Sequence, residues 1–284
     1  MKLGSQTHKE LFCRSFLDSH LHYEPETMAW PELDGVMLER LQSIPFWLEA
    51  LKTERNAGRM VGAFADTIDD PLIRQAVDLQ AREESRHGRL IHYLIDQYDI
   101  NIEEPPVTPL PANIQSAFVN FGFAECLDSF FAFGMFGIAR QAQYLPEAFF
   151  HIFDPILDEE ARHIVFFVNW FTYLQINRGQ SFLPLRAVNT IWGYKAALQE
   201  LLHIFNSSQG DGEESRFTVT GAGGFMDNLT PDLFFSCCLK ENEKRMSQFA
   251  PELLQPQLMP RLSNMALGCL RLMPRQQPTP LVPG

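Results

Sequence analysis

Glu83-Glu84-Ser85-Arg86-His87 and Glu159-Glu160-Ala161-Arg162-His163 are the two stretches that decide the fold. Both read E-E-x-R-H, and both lie in runs whose apolar residues recur at helical spacing. In a helix, Glu84 and His87 stand one turn apart on one face, as do Glu160 and His163, so each pair can reach a single ion. The same stripes are otherwise apolar: Ile73, Val77, Ile91 and Leu94 extend the first, Phe153, Leu157 and Phe167 the second. A charge on a core-facing stripe is costly unless it is neutralised. A solvated helix face would explain one such motif. Two copies on apolar stripes point to a metal.

Working outward, each motif has an acid upstream. Glu54 stands thirty residues before Glu84, on a face with Trp47, Leu51, Gly58, Val61 and Ala65. Glu125 stands thirty-five residues before Glu160, on a face with Phe118, Phe121, Gly122, Ala132 and Phe136, and is the only acid between Glu104 and Asp128. The chain therefore reads as a repeat of two helix hairpins, each bringing two carboxylates and one imidazole. The pattern predicts helices over 43–67, 71–98, 112–142, 147–177, 184–206 and 231–248. Asp70 caps the second and Pro71 is its first residue. The prolines of 105–111 force the connection before the third to be extended. Thirteen extended residues span roughly 40 Å, about the length of a 27-residue helix, so the third helix can start parallel to the second, although a plain hairpin fits the same distances. Residues 1–36 read as polar and weakly helical, 207–230 as a Gly/Ser-rich loop, and 274–284 as a Pro-rich tail. The expectation is an all-α fold in one domain spanning 1–284, with a core of four long helices over 43–178 and accessory helices over 184–270.

Composition narrows the class. The 284 residues are 45% hydrophobic and carry a net charge of −12, which argues against a nucleic-acid partner. No run of apolar residues is long enough for a membrane span, and the N-terminus lacks the apolar stretch of a secretory signal. Five cysteines without a CxxC fit a cytoplasmic chain and exclude a Cys-rich zinc or iron site.

Each ligating imidazole needs an acceptor on its other nitrogen. Glu83 and Glu159, one residue off the ligand stripe, are placed to accept from the His of the opposite hairpin, with Arg86 and Arg162 paired to them. The alternative for these four is ordinary surface ion pairing. Asp128, one turn from Glu125, either supports the ligands or faces a water-filled pocket. His92 and His151 fall off the stripe and read as structural, and Cys126 as buried and inert. The many Phe of the third and fourth helices are bundle core in the main. They cover more than one face, so either accessory helices cover the outer face or part of it lines a greasy channel, with Gly122, Ala132, Gly134 and Gly137 opening space among the rings.

These six positions and both motifs resemble the ferritin-like di-iron carboxylate superfamily, in its oxygen-activating branch of monooxygenases, desaturases, aldehyde-deformylating oxygenases and arylamine N-oxygenases. The resemblance covers about residues 43–175. It implies a ferritin-like four-helix bundle in which Glu54, Glu84, His87, Glu125, Glu160 and His163 hold two iron ions, with Glu84 and Glu160 bridging; Mn/Fe and Mn2 pairs suit the same ligands. It implies an oxidoreductase that uses O2 on a small apolar molecule, with electrons from a separate ferredoxin or reductase, and admits a homodimer. The alternative it implies is a ferroxidase or peroxide scavenger. A helical binding protein with ion-paired carboxylates is a third reading. The chain departs from the relatives at Ile91 and Phe167, where the ribonucleotide reductase pattern would place its radical Tyr, and at Ile156, where the N-oxygenases carry an extra His.

Overall fold

All of the regular structure among the described residues is helical, with no strand. The computed structural model describes residues 1–104, 106–179, 188, 190–195, 199, 225 and 229–272. Its helices are α1 (Gln6–Asp18), α2 (Gly35–Gln42), α3 (Trp47–Ala65), α4 (Pro71–Gln97), α5 (Ile114–Gln141), α6 (Glu147–Asn177), α7 (Pro231–Met246) and α8 (Leu258–Leu272), with a 3-10 turn at Pro25–Thr27. Asp70 opens α4 as its N-cap, accepting from the amides of Leu72 and Ile73 at 3.0 and 3.1 Å, and Pro71 follows at the first helical position.

The four long helices pair as α3 with α4 and α5 with α6; α3 also packs on α5, and α4 on α6. The α3–α4 approach is close because Gly58 faces Ser85: a Cβ on Gly58 would lie 2.4 Å from Ser85 Oγ. The connection from α4 to α5 passes the end of α2 and climbs along α3. Gln42 donates to the carbonyl of Tyr98 at 2.9 Å, Arg55 pairs with Glu104, and Arg59 donates to the carbonyl of Thr108 at 2.7 Å. Phe118 in α5 then stacks on Phe64 near the end of α3, ring centroids 4.2 Å apart. Helix α5 thus starts at the end of the bundle where α4 starts, and the two run parallel. This brings Glu125 level with Glu84.

The N-terminal region departs from its weak helical pattern. Helix α1 buries Phe12, Cys13 and Phe16, and packs on α4 and α6. Its inner stripe also carries His8, 3.1 Å from Asn169 Oδ1, and Lys9, paired with Asp70. Two satisfied polar residues on a buried face hide the periodicity from a reading based on hydrophobicity. Pro45 supplies a second correction, because the span expected as one helix from 43 begins only at Trp47. Of the helix expected over 184–206, residues 188, 190–195 and 199 are helical; the rest lies outside the described residues, as do most of 207–230 and all of 274–284. Helix α5 has the length and apolarity to cross a bilayer, yet 67% of that stretch is buried inside the protein. Its outer Phe face is met by α7, where Phe234 stacks on Phe131.

Candidate metal centre

Four helices each bring an acid to one point midway along the bundle. Donor atoms of Glu54, Glu84, His87 and Glu160 lie within 4.8 Å of one another, and so do those of Glu84, Glu125 and His163. The two imidazole rings face each other with centroids 5.8 Å apart. Glu84 and Glu160 each reach both. Glu84 sets Oε2 3.8 Å from His87 Nδ1 and Oε1 3.2 Å from His163 Nδ1. Glu160 sets Oε1 3.1 Å from His87 Nδ1 and Oε2 3.5 Å from His163 Nδ1. Glu54 Oε2 lies 3.6 Å from His87 Nδ1. Apolar clusters close the bundle on either side: Val61, Phe64, Val77, Phe118 and Trp170 towards one end, Leu51, Ile91, Leu94 and Phe153 towards the other.

The opposite ring nitrogens explain the orientation of both histidines. His87 Nε2 is 2.8 Å from Glu159 Oε2, and His163 Nε2 is 2.9 Å from Glu83 Oε2, each pair crossing between hairpins. A carboxylate accepts only, so the Nε2 protons point outward and Nδ1 is left facing the acids. Arg162 Nη1 donates to Glu83 Oε1 at 2.8 Å, and Arg86 pairs with Glu159 Oε1. The sequence reading missed a further partner on each side. His20 Nδ1 lies 2.7 Å from Glu83 Oε1, and Tyr23 Oη donates to Glu159 Oε2 at 2.8 Å. Both come from the chain after α1, outside the repeat, where no spacing signal exists to find them. Gln80, one turn before Glu84, donates to its Oε1 at 3.2 Å.

The inner groups remain unsatisfied by the protein itself. His87 Nδ1, His163 Nδ1, Glu125 Oε2 and Glu160 Oε2 are buried without a hydrogen-bond partner. Burial, reinforced by the charges of Glu84 and Glu160, pushes the Glu54 carboxyl up to about 7, and burial with the Glu160 charge raises Glu125 well above the usual carboxylate range. Burial works against the charged forms of His87 and His163 too, but their carboxylate neighbours outweigh it and hold both well above an ordinary imidazole. Glu160 is held well below the usual range against its burial, by His163 and His87. Glu83 is drawn down to about 2, because its bonds to His163 and Arg162 outweigh burial.

An apolar cavity of about 260 Å³ meets the centre on one side, with Glu54, Glu125 and Glu160 in its wall. Asp128 and Ala132 line it as well. The three glycines expected to open space do not. A Cβ on Gly122 would lie 2.2 Å from the Phe167 ring, one on Gly134 2.1 Å from Cys238 Sγ, and one on Gly137 2.8 Å from Glu241 Cγ. They let neighbouring side chains approach and are filled by them. His92 and His151 sit away from the centre, beside surface acids. Cys126 is buried, which pushes its thiol up to about 12. Comparison with known proteins gives no match to a family model, a curated protein or a solved structure.

Proposed function

We propose that this chain is a ferritin-like di-metal carboxylate protein that uses O2 to oxidise a small, mainly apolar organic molecule. The observation that carries the reading is the pair of buried Nδ1 atoms, both without a hydrogen-bond partner and both turned on carboxylates. The donor set suits two divalent ions: Glu54 and His87 for one, Glu125 and His163 for the other, Glu84 and Glu160 shared. Iron is the metal favoured, and Mn/Fe or Mn2 pairs take the same donors. When bound, two irons would supply the redox chemistry that side chains of this kind lack.

The chain's own part is to hold and insulate. Glu83 and Glu159 fix the tautomer and tilt of the imidazoles, and Arg162 and Arg86 balance their charge. The apolar clusters exclude water towards both ends of the bundle, while Glu54 and Glu160 keep some exposure. Electrons would come from a separate carrier such as a ferredoxin or reductase.

The ferroxidase alternative needs a polar entry route for iron; the cavity that meets this centre is mainly apolar, with Glu49, Thr53, Asp128, Ser129 and Tyr144 as its polar lining besides Glu54, Glu125 and Glu160. Anaerobic loading with Fe(II) and metal analysis test the reading. Two irons per chain are expected, with most of the metal lost in Glu84→Ala and His163→Ala and retained in Glu103→Ala, an exposed surface change. A protein that takes up no iron overturns it. One that turns many irons into mineral on exposure to O2 replaces it with the ferroxidase.

A further inference from the structure

The cavity has a direction. At one end are Glu54, Glu125 and Glu160, with Thr53, Asp128 and Ser129 beside them. Along α5 its wall continues from Glu125 to Ala139, about 20 Å at ~1.5 Å per residue. Beyond Ala132 it is built mainly of aromatic and aliphatic side chains, Trp47, Ile91, Phe149, Phe153 and Ile156 among them, with the exposed Glu49 also in its wall. Trp47, Ile91, Phe149 and Phe153 are each 5% exposed or less. A polar end beside the metal donors thus grades into a long apolar chamber.

Its charge is one-sided. Among the described residues the lining holds acids and hydroxyls but no Lys, Arg or His. The four inner carboxylates already offset two divalent ions. A further carboxylate brought in by a ligand would sit beside Asp128, in a mainly apolar chamber, with no cationic side chain to pair it and only metal ions whose charge the four carboxylates already offset.

We propose that the cavity binds an amphiphile with an extended apolar body and an uncharged or cationic head, an alcohol or amine rather than a carboxylate, seated with its head at the Glu54/Glu125/Glu160 end. This rests on the functional reading above and narrows it. An apolar body gains from burial along the chamber at about 25 cal/mol per Å². The head meets the polar cluster of Thr53, Asp128 and Ser129 beside the metal donors, whereas among the described residues the far wall offers only Glu49 and Tyr144. The reacting end of the molecule is therefore the head and its neighbouring carbons, not the tail.

Calorimetric titration with decanol, decylamine and decanoate, below their aggregation limits, tests the charge preference. A matched diol carrying a second hydroxyl at the far end tests the orientation. The zinc-loaded protein is used, since zinc is redox-silent; if zinc does not bind, the metal-free protein decides. Decanol and decylamine are expected to bind at least about tenfold more tightly than decanoate and than the diol. Ala132→Phe, which fills the middle of the chamber, should weaken decanol by a similar factor while zinc content stays unchanged. Ala50→Phe, on the facing wall, serves if the first variant fails to fold. Decanoate or the diol binding as tightly as decanol overturns the proposal, and so does a folded, blocked variant that keeps its affinity. Loss of zinc binding in the unmodified protein would instead overturn the metal reading, which the same titration reports separately.

Discussion

Glu159 carries more than its place beside Glu160 suggests. It accepts from His87, Arg86 and Tyr23, and Glu83 mirrors it with His163, Arg162 and His20. Both side chains are fully buried, so each carboxylate is stable only while its cations and donors stay in place. Glu159→Gln keeps the shape but removes the charge. It leaves Arg86 without its counter-ion and no longer dictates which nitrogen of His87 carries the proton. Metal affinity should fall by about 10–100-fold, and Glu83→Gln should match it because Glu83 makes the same set of contacts to His163 and Arg162. Tyr23→Phe removes one hydrogen bond of about 0.5–1.5 kcal/mol, so its effect should be smaller and restored by no added anion. Competition against a chelator with known affinity measures all three. Unchanged affinity in both Gln variants would reduce Glu83 and Glu159 to structural ion pairs.

Elements meet closely at glycines, and this predicts which changes the fold tolerates. A Cβ on Gly134 would fall against Cys238 Sγ and 2.9 Å from its Cα, so α7 must shift away from α5. Gly134→Ala should cost about 1–3 kcal/mol of stability by overpacking, while Gly35→Ala, with nothing within 4 Å, should be nearly silent. Gly122→Ala drives a methyl into Phe167, one turn after His163 in α6. It should lower metal content as well as melting temperature, whereas Gly134→Ala should lower melting temperature alone. Thermal melts and metal analysis on the three variants separate these outcomes. The same contacts mark the edge of what the sequence makes legible. The four long helices follow from period and caps because amphipathic stripes and Asp70-Pro71 act locally. The crossing of His87 to Glu159 and of His163 to Glu83 follows from a repeated pentapeptide. The partners of a small residue do not, since Gly leaves space only until another chain segment enters it. Helix α1 was hidden for a related reason: His8 and Lys9 are buried with partners more than sixty residues away, at Asn169 and Asp70. His20 and Tyr23 follow it to the centre through tertiary packing alone.

At the scale of the whole molecule, the acidic centre couples stability to pH and, on the proposed reading, to metal. The metal-free fold holds protons that an unfolded chain releases. Glu54 is raised to about 7 from 4.5, Glu125 is raised well above 4.5, and His87 and His163 well above 6.5. Between those ordinary values and the raised ones the folded state binds more protons than the unfolded, so its stability falls as pH rises. Glu83, drawn down to about 2, and Glu160, also lowered, act in the opposite sense. Their contribution is present above 4.5 and is lost as pH falls below it. The metal-free protein should therefore melt highest at mildly acidic pH, near 5, and lose stability steadily through 7 and above. Metal ions compete with the protons on Glu54, Glu125 and the two Nδ1 atoms, so metal affinity should rise over the same interval. The melting temperature of the loaded protein should then stay level or climb where that of the metal-free protein declines, and the gap between them should widen with pH. Differential scanning calorimetry of both forms from pH 5 to 8 makes the comparison. Two curves that run parallel would mean that metal and protons do not share these groups.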